Sequence, residues 1–201
     1  MSVTSALAAN RRRRFAEVLD AAAKVFARRG YHGAATQDIA DVLGIRQASL
    51  YYYFESKEAA LEAVCASGVE DYAVRAQKVA RSAMSSSEKV AQLVFHHLAP
   101  MAERLDYTVV FLRERRFLPK PARKRIRAIE RRYEDIIERV IAEGISAGEF
   151  RADLDARVAT LALLGLGNSA ALWIAREPGA TVQRVGEHYA ELLVRAFRRL
   201  A

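Results

Sequence analysis

Residues 36–57, TQDIADVLGIRQASLYYYFESK, decide the fold of this chain. Ile39, Ala40 and Leu43 recur at helical spacing, so a short helix has one apolar face. Gly44 follows, where a helix end calls for a left-handed residue that glycine adopts at little cost. Thr36 stands where an N-cap hydroxyl would accept a free first-turn N–H. Beyond the turn, Leu50 and Phe54 lay an apolar stripe along a second helix, and its opposite face carries Ala48, Tyr51 and Tyr52. Two short helices joined in this way make a helix-turn-helix, and the exposed face of the second is expected to enter a DNA major groove.

The residue types on that face suit such a contact. Gln47 fits a bidentate contact with adenine, and Ala48 fits a thymine methyl. Ser49, Tyr51 and Tyr52 can donate to phosphate oxygens, as can the Thr36 hydroxyl. Lys57 stands at a helix N-terminus, where free N–H groups add to its attraction for phosphate. Tyr53 lies nearer the Leu50 face and is expected to be core. Glu55 is acidic near phosphates, so it is expected to point away or to pair with a cation such as Lys57.

Upstream, Phe15, Val18, Leu19, Ala22, Val25 and Phe26 form an i, i+3, i+4 stripe on a first helix. Arg28 and Arg29 favour its C-terminal dipole, and Gly30 is expected to stop it. Residues before Arg11 read as a loose arm, and Arg11–Arg14 as either a phosphate-reaching run or a frayed helix start. The run FARRGYHGAATQDIADVLGIRQASLYYYFESKEAALEAV closely resembles the N-terminal domain of TetR-type transcriptional regulators. The matching elements are Phe26, Gly30-Tyr31, Thr36, Asp38-Ile39-Ala40, Gly44, Leu50-Tyr51, Phe54 and Ser56-Lys57-Glu58. One position departs from the family pattern. Where a Ser or Thr usually caps the recognition helix, this chain has Arg46, whose guanidinium has no acceptor but sets a phosphate-binding cation beside the groove.

The chain of 201 residues is rich in Ala, Leu, Val and Arg and has four prolines, which favours an all-α fold. The single Cys65 excludes an internal disulfide and is consistent with a reducing, cytoplasmic setting; its place in an apolar helical pattern predicts a buried thiol. No signal-peptide pattern opens the chain. Residues 158–175, VATLALLGLGNSAALWIA, lack any charge and reach the lower length for a bilayer span. Thr160, Asn168, Ser169 and two glycines favour instead a buried interface helix, with no membrane involvement.

Helix signals continue to the end. Ser56 should cap a fourth helix running to about Arg81, and Ser85 with Glu88 a fifth running towards Glu103. A sixth is expected over 107–116, and a seventh over 121–147 with Ile126, Ile129, Tyr133, Ile136, Ile137, Val140 and Ile141 inward. Asp153 should cap an eighth over 154–176, and Thr181 a ninth reaching Leu200. The expected organisation is a three-helix DNA-binding domain over residues 1–55 and a six-helix ligand-binding and dimerisation domain over 56–201. Residues from Phe111 onward are similar to C-terminal domains of TetR-type regulators that respond to acyl-coenzyme A thioesters.

Net charge is +8, and residues 104–139 alone hold twelve Lys and Arg against six Asp and Glu. Such a run is either a solvated helix face or a mouth that attracts an anion. Phe95, Phe111 and Trp173 offer aromatic walls for a small effector, and Arg113, Arg116 and Asn168 offer polar anchors. His96 and His97 point about 100° apart on a helix and make no metal site, although one of them could line a pocket. No nucleophile elbow, phosphate loop or metalloprotease signature is present, so neither an enzyme nor a cofactor is expected. The rival from another class is a helical enzyme or ligand carrier whose head reads no DNA. The family resemblance implies a homodimer, joined through the eighth and ninth helices, that acts as a repressor on a palindromic double-stranded operator. It also implies a small-molecule effector, of which an acyl-coenzyme A is the first candidate.

Overall fold

The computed structural model describes residues 3–199; for Val3–Leu7, Glu70 and Asp71 it describes the backbone alone. Among the described residues there are nine α-helices and no strand beyond one isolated bridge, Phe150 to Arg198. The helices are α1 (Val3–Gly33), α2 (Thr36–Leu43), α3 (Gln47–Leu50), α4 (Lys57–Ala80), α5 (Ser86–Leu98), α6 (Pro100–Glu114), α7 (Lys120–Ser146), α8 (Ala156–Trp173) and α9 (Val182–Phe197). A 3-10 turn, Arg115–Phe117, follows α6. The chain divides into two compact units. The head takes residues up to Gly68 together with Val109–Ile126, and the rear unit takes Val69–Thr108 with Arg127 onward.

In the head, α1 buries Val18, Leu19, Ala22, Val25 and Phe26. Gly30 leaves the helical region at φ 68°, as its position predicted, and the chain turns there towards α2. The loose arm expected before Arg11 is instead helical from Val3, in keeping with the alanines that precede Arg11. Gly44 sits at φ 64°, and the Ile45 N–H reaches the Ala40 carbonyl at 3.1 Å, the bond that closes a Schellman turn.

In the rear unit α5 packs against α8 and α9. Ser85 caps α5 by accepting from the Glu88 N–H, and the Glu88 carboxylate returns to the Ser85 N–H at 2.8 Å. The Glu149 carboxylate accepts from the Ser86 and Ser87 N–H groups at 2.9 and 3.0 Å, so an anion tops the positive end of the α5 dipole. Those bonds, the Ser86 N–H first, hold Glu149 below the usual carboxylate range. Four expected boundaries need correction. Helix α5 ends at Leu98, and α6 starts at Pro100, since proline at a first helical position loses no intrahelical bond. Asp155, not Asp153, caps α8, accepting from the Val158 N–H at 2.9 Å, while Asp153 is engaged by Arg151 at 2.6 Å. Thr181 caps α9, which runs to Phe197; Leu200 lies outside the described residues.

Candidate nucleic-acid interface and effector-binding residues

The helix-turn-helix is assembled by burial of Ile39, Ala40, Leu50 and Phe54, with the Phe15 ring 5.6 Å from that of Phe54. The second helix, expected to carry both Leu50 and Phe54, ends at Leu50, and Tyr51–Tyr53 form a turn; anchoring Leu50 and Phe54 turns α3 and its flanks outward, so that Arg46, Ala48, Ser49, Tyr51 and Tyr52 are all exposed, Tyr52 by 70%. The Arg11 guanidinium lies 5.9 Å over the Tyr52 ring, which puts a cation beside this face. Tyr53 is half-buried and meets Tyr52 edge to face. Glu55 is exposed, and its carboxylate has no ion-pair partner among the described residues.

Thr36 does not cap α2. It is the first helical residue, and the N-cap position belongs to Ala35, whose N–H is satisfied by the Asp38 carboxylate at 2.8 Å. The Thr36 hydroxyl instead accepts from Gln47 Nε2 at 2.6 Å. This bond ties α2 to the start of α3, where Arg46 supplies no side-chain cap. One of Gln47's two amide hydrogens is thereby committed, leaving its carbonyl oxygen and the second hydrogen for a base edge.

Lys57 is anchored in a way its sequence position does not announce. Its ammonium donates to the Tyr31 and Ala34 carbonyls at 3.0 and 2.9 Å and sits 4.4 Å over the Tyr31 ring. The cation thus satisfies carbonyls at the C-terminal end of α1, where the helix dipole favours it, and keeps one N–H for an outside anion. The Tyr31 hydroxyl donates to Glu58, and that bond holds the carboxyl below its ordinary range. Burial and the same carboxylate push Tyr31 up to about 12.

The same turn is held from the far end of α6. Glu114 accepts the Tyr31 N–H at 2.8 Å, and Phe117 stacks on Tyr31 at 5.7 Å and meets His32 edge-on at 4.3 Å. A Cβ on Gly30 would come to 3.7 Å from the Glu114 carboxylate. Glu62 of α4 takes a two-pronged hydrogen bond from Arg125 of α7 at 2.6 and 2.8 Å. The sequence reading missed Glu114 and Phe117. The available signal was a lone acid inside the cationic run RERR, residues 113–116.

The six candidate effector residues divide between the units. Phe111, Arg113 and Arg116 belong to the head, and Phe95, Asn168 and Trp173 to the rear unit. In the head, Arg115 covers the buried Phe111 ring at 4.5 Å and Arg116 covers Phe117 at 4.7 Å, while Arg113 is exposed. In the rear unit the Phe95 ring lies against Gly186 of α9, where a Cβ would approach it to 2.8 Å. That contact commits Phe95 to the packing of α5 on α9. Trp173 is half-buried at the end of α8.

Asn168 belongs to a buried polar layer. His97 Nε2 lies 3.2 Å from Asn168 Oδ1, and Nδ1 lies 3.3 Å from the Tyr133 hydroxyl. A neutral ring satisfies both, donating to Asn168 and accepting from Tyr133. Burial drives His97 down to about 4, with the Asn168 bond opposing it. The Tyr72 ring closes the layer at 5.3 Å from His97 and 5.4 Å from Tyr133. Gly167 makes room for it, since a Cβ there would fall 2.1 Å from the imidazole.

Much of the basic run is neutralised. Glu134, buried on α7, takes Arg127 at 2.7 Å and Arg157 at 2.6 Å, with Arg131 at 3.5 Å. Burial alone would raise Glu134, and Arg157 and Arg127 hold it low instead. Cys65 is fully buried, as its pattern predicted. Among the described residues no cluster of His, Cys, Asp or Glu could hold a metal, and no helix is long and apolar enough to cross a membrane.

Comparison with known proteins follows the same division. Residues 18–64 match the family described as bacterial regulatory proteins, tetR family, and residues 83–197 match the tetracyclin repressor-like C-terminal domain. The fatty acid metabolism regulator protein of Bacillus subtilis is 25% identical over 92% of this chain and 95% of its own length. The repressor KstR2 of Mycolicibacterium smegmatis is 31% identical over 69% of this chain and 68% of its own. The crystal structure of the regulator FadR from Bacillus subtilis in complex with stearoyl-CoA superposes with a TM-score of 0.76. It is 25% identical, covering 92% of this chain and all of that one. With both halves matched in order on an all-α fold, this chain belongs to the TetR family of bacterial transcriptional regulators.

Proposed function

We propose that the protein is a homodimeric, cytoplasmic repressor that leaves a palindromic operator when an acyl-coenzyme A effector binds. The observation that carries the DNA-reading part is the exposed face of Ala48, Ser49, Tyr51 and Tyr52, held outward by the buried pair Leu50 and Phe54. Residues 1–55 form the reading domain and 56–201 the effector and dimerisation domain. Thr36, Arg46, Gln47 and Lys57 complete the interface, Thr36 and Lys57 mainly by bracing it. Phosphate contacts from Arg46, Ser49, Tyr51 and Tyr52 fix register, and Gln47 and Ala48 read bases.

Dimerisation falls to α8 and α9. Helix α8 buries Leu163, Gly167 and Ala170 within its own unit and leaves Val158, Leu161, Gly165 and Leu172 exposed at helical spacing; Leu192 is exposed on α9. A second copy would cover this stripe in a four-helix bundle. Each leucine so buried contributes about 1.5–3 kcal/mol.

The effector class rests on the relative that carries stearoyl-CoA and on the cationic character of α7. Coupling runs through helices that belong to both units: α4 carries Lys57 and Glu58 at its start, and α6 carries Glu114 at its end. A shift of either would change the turn at Gly30–Ala34, on which the head is built, and so the operator affinity. Selection of duplexes from a random DNA pool tests the reading. The expected product is a palindrome with half-sites about one helical turn apart. No enrichment over the starting pool would refute it.

A further inference from the structure

Four cations of the rear unit gather at one place. Lys78 on α4, Arg81 just past its end, and Arg132 and Arg139 on α7 rim an open groove of about 590 Å³. All four are exposed, and none of their side chains makes a hydrogen bond or ion pair among the described residues. The one acid on the rim, Asp135, is held by Arg131 at 3.0 Å. Along α7, Arg127 and Arg131 are drawn to Glu134, whereas Arg132 and Arg139 line a space where Asp135 is the one acid among the described residues. Val74, 58% exposed, and Ile136 give the groove an apolar floor. Tyr72 and Tyr133, sequence neighbours of lining residues, turn the other way into the His97 layer.

Clustered like charges repel unless an anion neutralises them, and a cationic cleft with low-dielectric walls concentrates anions. The volume suits a nucleotide, and an apolar floor beneath guanidinium groups suits a purine ring among phosphates. Resting on the effector class proposed above, we infer that this groove between α4 and α7 seats the phosphorylated nucleotide head of the coenzyme A effector. Its pyrophosphate carries two charges and its 3′-phosphate nearly two more at neutral pH, matching the four cations. Guanidinium groups take phosphate oxygens in paired hydrogen bonds. The assignment moves the phosphate site away from Arg113 and Arg116, where the sequence alone pointed.

The test is titration calorimetry of the full chain with coenzyme A, palmitoyl-coenzyme A and palmitate, alongside release of the selected operator. Arg132→Ala/Arg139→Ala is compared with Arg113→Ala/Arg116→Ala, and equal thermal melts show that each variant is folded. The groove variant is expected to weaken coenzyme A and palmitoyl-coenzyme A about ten-fold or more and to leave palmitate unchanged, while the other variant changes neither. Thioester binding that ignores the groove variant, or that falls only with Arg113 and Arg116, overturns the groove assignment. So does a wild-type chain that binds neither coenzyme A nor its thioester. Coenzyme A binding that depends on Arg132, in a protein whose operator palmitoyl-coenzyme A does not release, upholds the groove and overturns the effector reading.

Discussion

The two units use their polar groups in opposite directions. The head turns them outward from an apolar core: Ser49, Tyr51 and Tyr52 are exposed, and the pairs beneath them, Thr36 with Gln47 and Lys57 with two carbonyls, brace that surface. The rear unit turns several inward, where His97, Tyr133 and Asn168 satisfy one another and Glu134 gathers three arginines. A surface that reads a rigid, repetitive ligand such as duplex DNA needs little more than local helix geometry. A buried polar network of the rear unit's kind is costly to leave half-satisfied, so its members depend on one another.

The largest effect that would break this contrast lies on the rear unit's apolar face. Leu161→Arg places a charge in the proposed dimer seam without touching the protein's own core, and it should convert a dimer to monomers by sedimentation. Ala170→Arg, although on the same helix, would instead disrupt the fold, since Ala170 is fully buried within the unit. A wild-type chain that sediments as a monomer at micromolar concentration removes the dimer from the account.

Next in size is the buried histidine. His97 is held to about 4 in the folded chain, against an ordinary value near 6.5 when unfolded. Between those values the unfolded state binds the extra proton, so stability should fall on acidification from pH 6.5 towards 4 and stay flat above. The full loss is on the order of 3 kcal/mol. His97→Gln should flatten this part of the stability–pH curve, and an unchanged slope would place His97 outside the buried layer.

Two smaller effects sharpen the head. Lys57→Ala leaves the Tyr31 and Ala34 carbonyls without their charged donor, so the melt should fall by about 1–3 kcal/mol in addition to weaker operator binding. A lysine that served phosphate alone would leave the melt unchanged. Glu114→Gln removes the charge from the bond to the Tyr31 N–H, at about 1 kcal/mol, and should alter effector release of DNA more than DNA affinity itself. Equal changes in the two would argue that Glu114 only supports the fold.

How much of this was legible in the sequence follows from how local each feature is. Gly44 and Gly30 were readable because a left-handed residue announces itself at a helix end, and both have positive φ. Ser85 with Glu88 was readable because its partners lie three residues apart. Asp153 and Asp155 carry the same local preference, and Arg151 decides between them by taking Asp153. Glu134 reads as one acid in a basic surface run, and only the approach of Arg157 from another helix makes it buried. Lys57 was read as a phosphate contact at a helix N-terminus, whereas its partners within the chain lie 23 and 26 residues away and no local rule names them.

The exposed tyrosine face on the head is proposed to read DNA. The most direct measurement is duplex affinity of the wild type and of Tyr51→Ala across a salt series, on the selected operator and on a scrambled duplex. Specific binding should weaken steeply with salt, and the Tyr51→Ala chain should keep its helicity and dimer state but lose the preference for the operator. Equal affinity of the wild type for the two duplexes, or a Tyr51→Ala chain that still prefers the operator undiminished, would contradict that reading.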